Sequence, residues 1–310
     1  MNIIKIMRKE FQKFWQILSQ HEYITLCTHK NPDGDTIGSS VAFKEIIELN
    51  LPNVKKVKIS GGDCPRNLEF LIPEGLGLVD EEMFAKSLKV VVDTSTVKRV
   101  FDSRVIASES LKFDHHPVED QFLFGIGGDN WPATGQLLTQ MIMELNLQTN
   151  QKALEGLAVA LITDTAHFTE RNISSTTFDA MSFLMSQGLE YKKVLQKLKL
   201  NPEEKRLIFK TISTLKIDGN VSFLVSEEEI SNDIVRPLVN QFLSLINTEV
   251  GLVALKQKGE FYRCSIRSVD SYDVGKVAKE FGGGGHKNSA GFNISNLEEL
   301  SVVLKRINQK

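Results

Sequence analysis

Cysteine is scarce: the chain of 310 residues has three, Cys27, Cys64 and Cys264. An odd, scattered set excludes a disulfide framework, and no pair has zinc-ribbon spacing. Such usage fits a reducing cytosol, so a cytoplasmic location is expected. Long apolar runs are missing as well, and nothing in the sequence would span a bilayer. The first ten residues mix charge into their apolar positions and lack a signal-peptide core. Excess charge of either sign is also absent, since 37 Lys and Arg against 39 Asp and Glu leave a net charge of -2. No global basic field would draw the chain onto long or duplex nucleic acid, although a few local cations could hold a short nucleotide. No internal repeat or low-complexity tract is visible. What is there is an ordinary composition, 41% hydrophobic and 25% charged, which argues against disorder. The length suffices for two domains.

Apolar patterning predicts an α/β protein: a doubly wound, mainly parallel sheet followed by a second, smaller α/β domain. Ile3, Met7, Phe11, Phe14, Trp15 and Leu18 recur at helical spacing, and the helix they form should pack on the domain rather than on a membrane. Strands are expected at Tyr23–Cys27, Val54–Ile59, Lys89–Val92 and Leu111–Phe113, and helices at Thr36–Leu49 and Ala153–Ile162. The strand-like runs are continuous rather than alternating, as in a parallel sheet buried on both faces. Residues 1–190 are therefore assigned to the first domain. Residues 191–217 are assigned to a Lys-rich helical connection, in which Asn201-Pro202 starts a helix. Residues 218–310 form the second domain, with strands at Val221–Val225, Leu252–Leu255 and Tyr262–Ile266 and helices at Ile234–Ile246 and Val274–Phe281.

Acidic and imidazole side chains gather where these elements end. His29, Asp33 and Asp35 follow the first strand, Asp93 follows three valines, Asp114-His115-His116 ends an apolar run, and Asp164 falls at a helix end. Carboxylates placed beside buried strands need compensation for their charge. The His29–Asp35 loop by itself fits a helix N-terminus equally well, with Asp35 as the cap. In an extended chain His115 and His116 would point to opposite sides, one toward a metal and the other toward a substrate. Taken together, four aspartates with imidazoles and no thiolate favour two hard divalent ions, Mn²⁺ first and Mg²⁺ second. Two such ions clamp a phosphoryl group, which implies hydrolysis of a phosphate ester or anhydride.

The order of these motifs resembles the Asp-His-His (DHH) phosphoesterase superfamily. Ser265-Ile266-Arg267-Ser268, the run Phe281-Gly282-Gly283-Gly284-Gly285-His286 and Ala290-Gly291-Phe292 look like its DHH-associated C-terminal domain. Length and pairing look most like the oligoribonuclease (nanoRNase) branch, whose members also dephosphorylate 3'-phosphoadenosine 5'-phosphate (pAp). The resemblance implies that His29 and Asp33 hold one metal, that Asp35, His115 and Asp164 hold the other, and that Asp93 bridges them. It further implies that His116 contacts the scissile phosphate, that Asp114 orients its neighbours, and that Arg99 binds phosphate. In the second domain Arg267, Gly283, Gly284, Gly285 and His286 would grip the substrate in a cleft between the domains. Ala166-His167 departs from the family pattern, where glycine is common after the motif containing Asp164.

The expected activity is hydrolysis of short single-stranded RNA, dinucleotides or pAp, with no membrane partner. The oligomeric state is left open, a homodimer included. A linear or cyclic dinucleotide phosphodiesterase, such as one acting on c-di-AMP or pApA, is the rival on the same residues. A nucleotide-binding regulator with a silent site is the rival of a different class.

Overall fold

The protein is described here from a computed structural model covering residues 2–169, 172–259, 261–269, 271–285 and 287–309. Internal packing divides the chain into two compact units, Met1–Lys199 and Leu200–Lys310.

The first unit runs α1 (Asn2–Ser19), β1 (Tyr23–Cys27), α2 (Gly34–Asn50), β2 (Lys56–Ser60), α3 (Glu81–Lys86), β3 (Leu88–Val92), β4 (Ser110–Asp114), β5 (Phe124–Gly127), α4 (Thr134–Leu145), α5 (Gln151–Asp164), α6 (Ser175–Ser186) and α7 (Tyr191–Lys197). The five strands form one sheet in the order β2-β1-β3-β4-β5, and every pairing in it is parallel. Residues alternate across it as the pleat requires. Ile24, Leu26, Val90, Val92, Leu111 and Phe113 join the large core beneath α1, α2 and α4, while Cys27 and Val91 join a smaller core with Met83 and Phe84 of α3. Both faces are thus covered, which is why the strands read as unbroken apolar runs. The helix expected at the N-terminus is present: Phe11, Phe14 and Leu18 are fully buried, and Met7 and Trp15 pack against the same core.

Helix α5 packs across α2 rather than on the sheet. The two backbones meet at Gly38 and Gly156, where a Cβ on Gly38 would fall 2.3 Å from the Gly156 carbonyl oxygen. Only glycine allows that approach. The crossing carries the end of α5, with Asp164, toward the start of α2, with Asp35.

The second unit contains α8 (Pro202–Ile212), β6 (Lys216–Asp218), β7 (Val221–Glu229), α9 (Asn232–Leu243), β8 (Val250–Lys256), β9 (Tyr262–Ser268), α10 (Val274–Glu280), β10 (Gly284–Gly285), β11 (Ser289–Ile294) and α11 (Leu297–Asn308). Its sheet runs β10-β11-β9-β8-β7-β6 and is antiparallel except for the β7–β8 pair. One face packs on α10 and α11, and the other on α8 and α9. The stretch 191–217 holds two helices, the later of which ends at Ile212; they belong to different units, and its last two residues begin β6. Val194 of α7 is buried in the first core and Ile208 of α8 in the second. Helix α8 starts as its residues suggest, since Asn201 accepts from Glu204 N at 2.8 Å while the Glu204 carboxylate accepts from Asn201 N at 2.7 Å.

Candidate active site

Parallel strands deliver ligands to their carboxyl ends. His29 lies two residues past β1, Asp93 immediately follows β3, and Asp114 is the last residue of β4. Helices α2 and α4 begin at the same edge of the sheet, and α5 ends there. Asp93 sits at φ +64°, a left-handed turn that an aspartate tolerates better than most residues and that ends the strand at once.

Three groups of donor atoms converge, each within 4.8 Å: His29, Asp33 and Asp93; Asp35, His115 and Asp164; and Asp93, His115 and His116. His29 Nε2 lies 3.6 Å from Asp33 Oδ1 and 3.5 Å from Asp93 Oδ2. His115 Nε2 lies 3.4 Å from Asp93 Oδ1, 3.3 Å from Asp164 Oδ2 and 3.7 Å from Asp35 Oδ2. Asp93 therefore turns one oxygen to each imidazole. The rear nitrogens are fixed as well: His29 Nδ1 faces the Lys30 carbonyl at 2.8 Å and His115 Nδ1 faces the Trp131 carbonyl at 2.9 Å. A carbonyl accepts only from an N–H, so each Nδ1 carries the proton and each Nε2 points into the cluster.

The electrostatics describe a site built around positive charge. Burial and the nearby Asp93 and Asp164 carboxylates push Asp35 well above the usual carboxylate range. Burial works against the charged His29 imidazole, but Asp33 and Asp93 more than reverse it and push it up to about 10. His115 is likewise opposed by burial, yet Asp164, Asp93 and Asp35 raise it to about 9. Burial also opposes the Asp93 carboxylate, which the hydrogen bond from His29 and the charge of His116 bring below its ordinary value. Four carboxylates around two inward-facing imidazole nitrogens form an oxygen-and-nitrogen donor set that fits a pair of hard divalent cations.

Two local expectations change. Asp33, not Asp35, caps α2, accepting from Asp35 N at 3.1 Å and Thr36 N at 3.2 Å. The helix starts two residues earlier than its apolar pattern indicates, which leaves Asp35 in the first turn and free to turn inward. His115 and His116 do not diverge either. They lie in a bend after β4 rather than in a strand, their ring centroids are 4.4 Å apart, and His116 Nδ1 also comes within 3.8 Å of Asp93 Oδ1.

Several contributors escaped the sequence reading. The Thr134 hydroxyl donates to Asp93 Oδ1 at 2.9 Å. The Thr134 and Gly135 amides donate to Asp35 at 2.7 and 2.9 Å, and Ser39 Oγ donates to it at 3.0 Å. Asp35 thus serves as the missing cap of α4, whose own cap residue is Ala133 and offers no side-chain acceptor. An uncapped helix start was the available signal. Lys112 is buried in β4, with Nζ 3.3 Å from Asp114 Oδ2, while Asp114 Oδ1 is 2.6 Å from His116 Nδ1. A lone lysine inside an apolar strand was the signal there. Arg99 is exposed, and its carbonyl accepts from Lys30 N at 2.7 Å, so it stands beside the His29 loop.

Residues 220–310 match the DHHA1 domain. The chain is 26% identical over 305 residues to the probable bifunctional oligoribonuclease and PAP phosphatase NrnA of Streptococcus mutans, covering 94% of this chain and 95% of that one. It is also 26% identical over 304 residues to the bifunctional oligoribonuclease and PAP phosphatase NrnA of Bacillus subtilis, covering 93% and 94%. Along nearly its whole length the chain is similar to these oligoribonuclease and PAP phosphatase relatives, and its C-terminal region matches the DHHA1 domain. Its fold is also that of an exopolyphosphatase-related protein from Bacteroides fragilis, with a TM-score of 0.84, 23% identity, and 97% and 96% of the two chains covered. The Asp-His-His run on which the sequence resemblance rests is Asp114-His115-His116.

In the DHHA1 region, Arg263, Ser265 and Arg267 alternate along β9, opposite Asn293, Gly291 and Ser289 of β11. They face away from the core that holds Cys264 and Ile266. Arg267 Nη1 donates to the Ile266 and Ala290 carbonyls at 3.0 and 3.2 Å, which fixes the guanidinium at the β9–β11 seam. The glycine run is more structural than its sequence suggests. Gly282 (φ +74°) closes α10, a Cβ on Gly283 would fall 2.1 Å from the Gly291 carbonyl oxygen, and Gly285 sits at φ +142°. Gly282 and Gly284 both face open space, but Gly284 has no left-handed φ, so folding does not explain its lack of a side chain. His286 lies outside the described residues.

Proposed function

We propose that this chain is a Mn²⁺-dependent phosphodiesterase and phosphatase that hydrolyses short single-stranded oligoribonucleotides and pAp. One observation carries the reading: Asp93 presents Oδ2 to His29 and Oδ1 to His115, so two donor sets share one carboxylate. By this reading His29 and Asp33 hold one cation, Asp35, His115 and Asp164 hold the second, and Asp93 bridges them. Bound there, the two cations would neutralise the carboxylates, polarise a phosphoryl oxygen and acidify an attacking water.

The remaining roles belong to the chain itself. His116 turns Nδ1 to Asp114, which orients the ring, and its Nε2 would meet a phosphoryl oxygen or the leaving group. Lys112 holds the other oxygen of Asp114 and so sets the plane of that carboxylate. Arg99, Arg267, the Gly283, Gly284 and Gly285 backbone and His286 bind the phosphates and sugar or base away from the cleaved bond. The chemistry falls to the first unit and substrate grip to the second. The names of the Streptococcus and Bacillus relatives support both activities. The near-neutral charge supports short substrates over long ones.

The test is purified protein supplied with Mn²⁺ or Mg²⁺ and offered RNAs of two to several nucleotides, pAp and a cyclic dinucleotide. Release of mononucleotides from the shortest RNAs and of phosphate from pAp, faster with Mn²⁺, is the expected result. Faster turnover of the cyclic dinucleotide would move the assignment to a signalling phosphodiesterase, and tight binding without any turnover would make the chain a regulator.

A further inference from the structure

Just past Asp164 the backbone adopts a conformation that L-residues avoid. Ala166, His167 and Phe168 follow one another at φ +46°, +57° and +65°. Such residues persist only where their surroundings over-determine them, and strain of this kind concentrates at ligand-binding positions. Here four hydrogen bonds hold the turn. His167 N donates to the Ile162 carbonyl at 2.8 Å, Phe168 N to Thr165 Oγ1 at 3.0 Å, Thr169 N to the Thr165 carbonyl at 3.0 Å, and Thr169 Oγ1 to the Ala166 carbonyl at 2.6 Å.

The turn brings Phe168 against Phe178 of α6, with ring centroids 5.5 Å apart and planes 26° from parallel. Phe168 rests on the core, whereas Phe178 is 55% exposed. The stack thus starts on the protein interior and ends in solvent. A single exposed phenylalanine needs no explanation. A stacked pair that runs from the core to an exposed ring, held by three left-handed residues that follow Asp164 of the cluster, does.

Both rings sit on segments that also connect to that cluster. Phe168 comes four residues after Asp164. Helix α6 is tied to the site through Gln136, whose Nε2 donates to Thr176 Oγ1 at 3.3 Å. Gln136 is two residues past Thr134, which bonds Asp93. Phe178 is two residues past Thr176.

We propose that Phe168 and Phe178 form a stacking platform for a nucleobase, that of a nucleotide attached to the phosphate held at the cluster. The proposal rests on the phosphoesterase reading and extends it by assigning the base a site in the first unit. Aromatic stacking accepts any base, because every base has a π-face, so the platform gives affinity with little sequence preference. It serves the adenine of pAp as well as the bases of a dinucleotide.

The test compares wild type with Phe178→Leu and Phe178→Trp, using an RNA dinucleotide and two analogues abasic at one or the other nucleotide. Phe178→Leu keeps an apolar side chain at an exposed position but removes the π-face. It should raise KM for the dinucleotide about tenfold, while Phe178→Trp should restore it. The Leu penalty should vanish on one of the two abasic analogues, which identifies the stacked base. Equal KM in wild type and Phe178→Leu, or an equal penalty on all three substrates, overturns the platform. Should wild type cleave none of them, the phosphoesterase reading fails, and a dinucleotide carrying 2-aminopurine still decides the platform by fluorescence. Weaker binding to Phe178→Leu with rescue by Trp keeps it, and equal binding removes it.

Discussion

The Thr134 hydroxyl reaches Asp93 Oδ1 at 2.9 Å from the first turn of α4, although 41 residues separate the two in the chain. The same Thr134 donates its amide to Asp35. One residue therefore aligns a carboxylate of each donor set. Thr134→Val keeps the amide and the shape but removes the hydroxyl. A hydrogen bond to a charged group is worth roughly 1.5–3 kcal/mol, so kcat should fall about ten- to a hundredfold, with Thr134→Ser close to wild type. Steady-state rates with Mn²⁺ check this, and equal kcat in the Val variant would remove Thr134 from the site.

Asp93→Asn tests the shared carboxylate. Asparagine tolerates φ +64° as well as aspartate does, so the fold should survive. It offers one neutral oxygen in place of two anionic ones, and a loss of several kcal/mol in stabilisation, about a thousandfold in rate, is expected. Calorimetry should show fewer bound Mn²⁺ per chain. Two ions bound and near-normal turnover would show that Asp93 bridges nothing.

Protons and cations compete for the cluster. His29 is raised to about 10 and His115 to about 9 in the metal-free protein. A raised folded-state value contributes stability that is complete below the ordinary imidazole value of about 6.5 and is lost as pH climbs through the folded values. Metal-free protein should therefore lose thermal stability between pH 7 and pH 10. Mn²⁺ should bind more tightly over the same range and release about two protons at pH 7, one from each imidazole. Thermal melts with chelator, and calorimetry in buffers of different ionisation heat, measure both. A pH-independent Mn²⁺ affinity would contradict the competition.

Lys112 and Asp114 make a buried pair, 4% and 0% exposed. Removing the lysine leaves the buried Asp114 carboxylate half-stranded, with His116 as its remaining partner, so Lys112→Met should destabilise the protein by about 3 kcal/mol. For a unit of this size the melting temperature should drop by roughly 10 °C. Adding Asp114→Asn removes the stranded charge and should return part of the loss in stability, though not the activity. Full additivity of the two changes would mean that the pair does not couple.

Much of this was legible from residues alone. The strand Tyr23–Cys27, the helical setting of Asp164 and the Asn201 cap follow from local patterns, and all three are present. Helix α4 and strand β5 were not anticipated. The first lacks a capping side chain, and the second is a four-residue edge strand, Phe124–Gly127, with two glycines. The divergence expected of His115 and His116 presumed that β4 continues, whereas it ends at Asp114.

The sequence by itself determined the chemistry on offer: which carboxylates and imidazoles exist, and that they stand at the ends of apolar elements, because side-chain type and periodicity are local properties. It could not determine which groups meet. That depends on the strand order β2-β1-β3-β4-β5, on α5 crossing α2 at Gly38 and Gly156, and on Asp35 completing the start of α4. Each of these is a contact between distant parts of the chain, stabilised only once the core has closed around it.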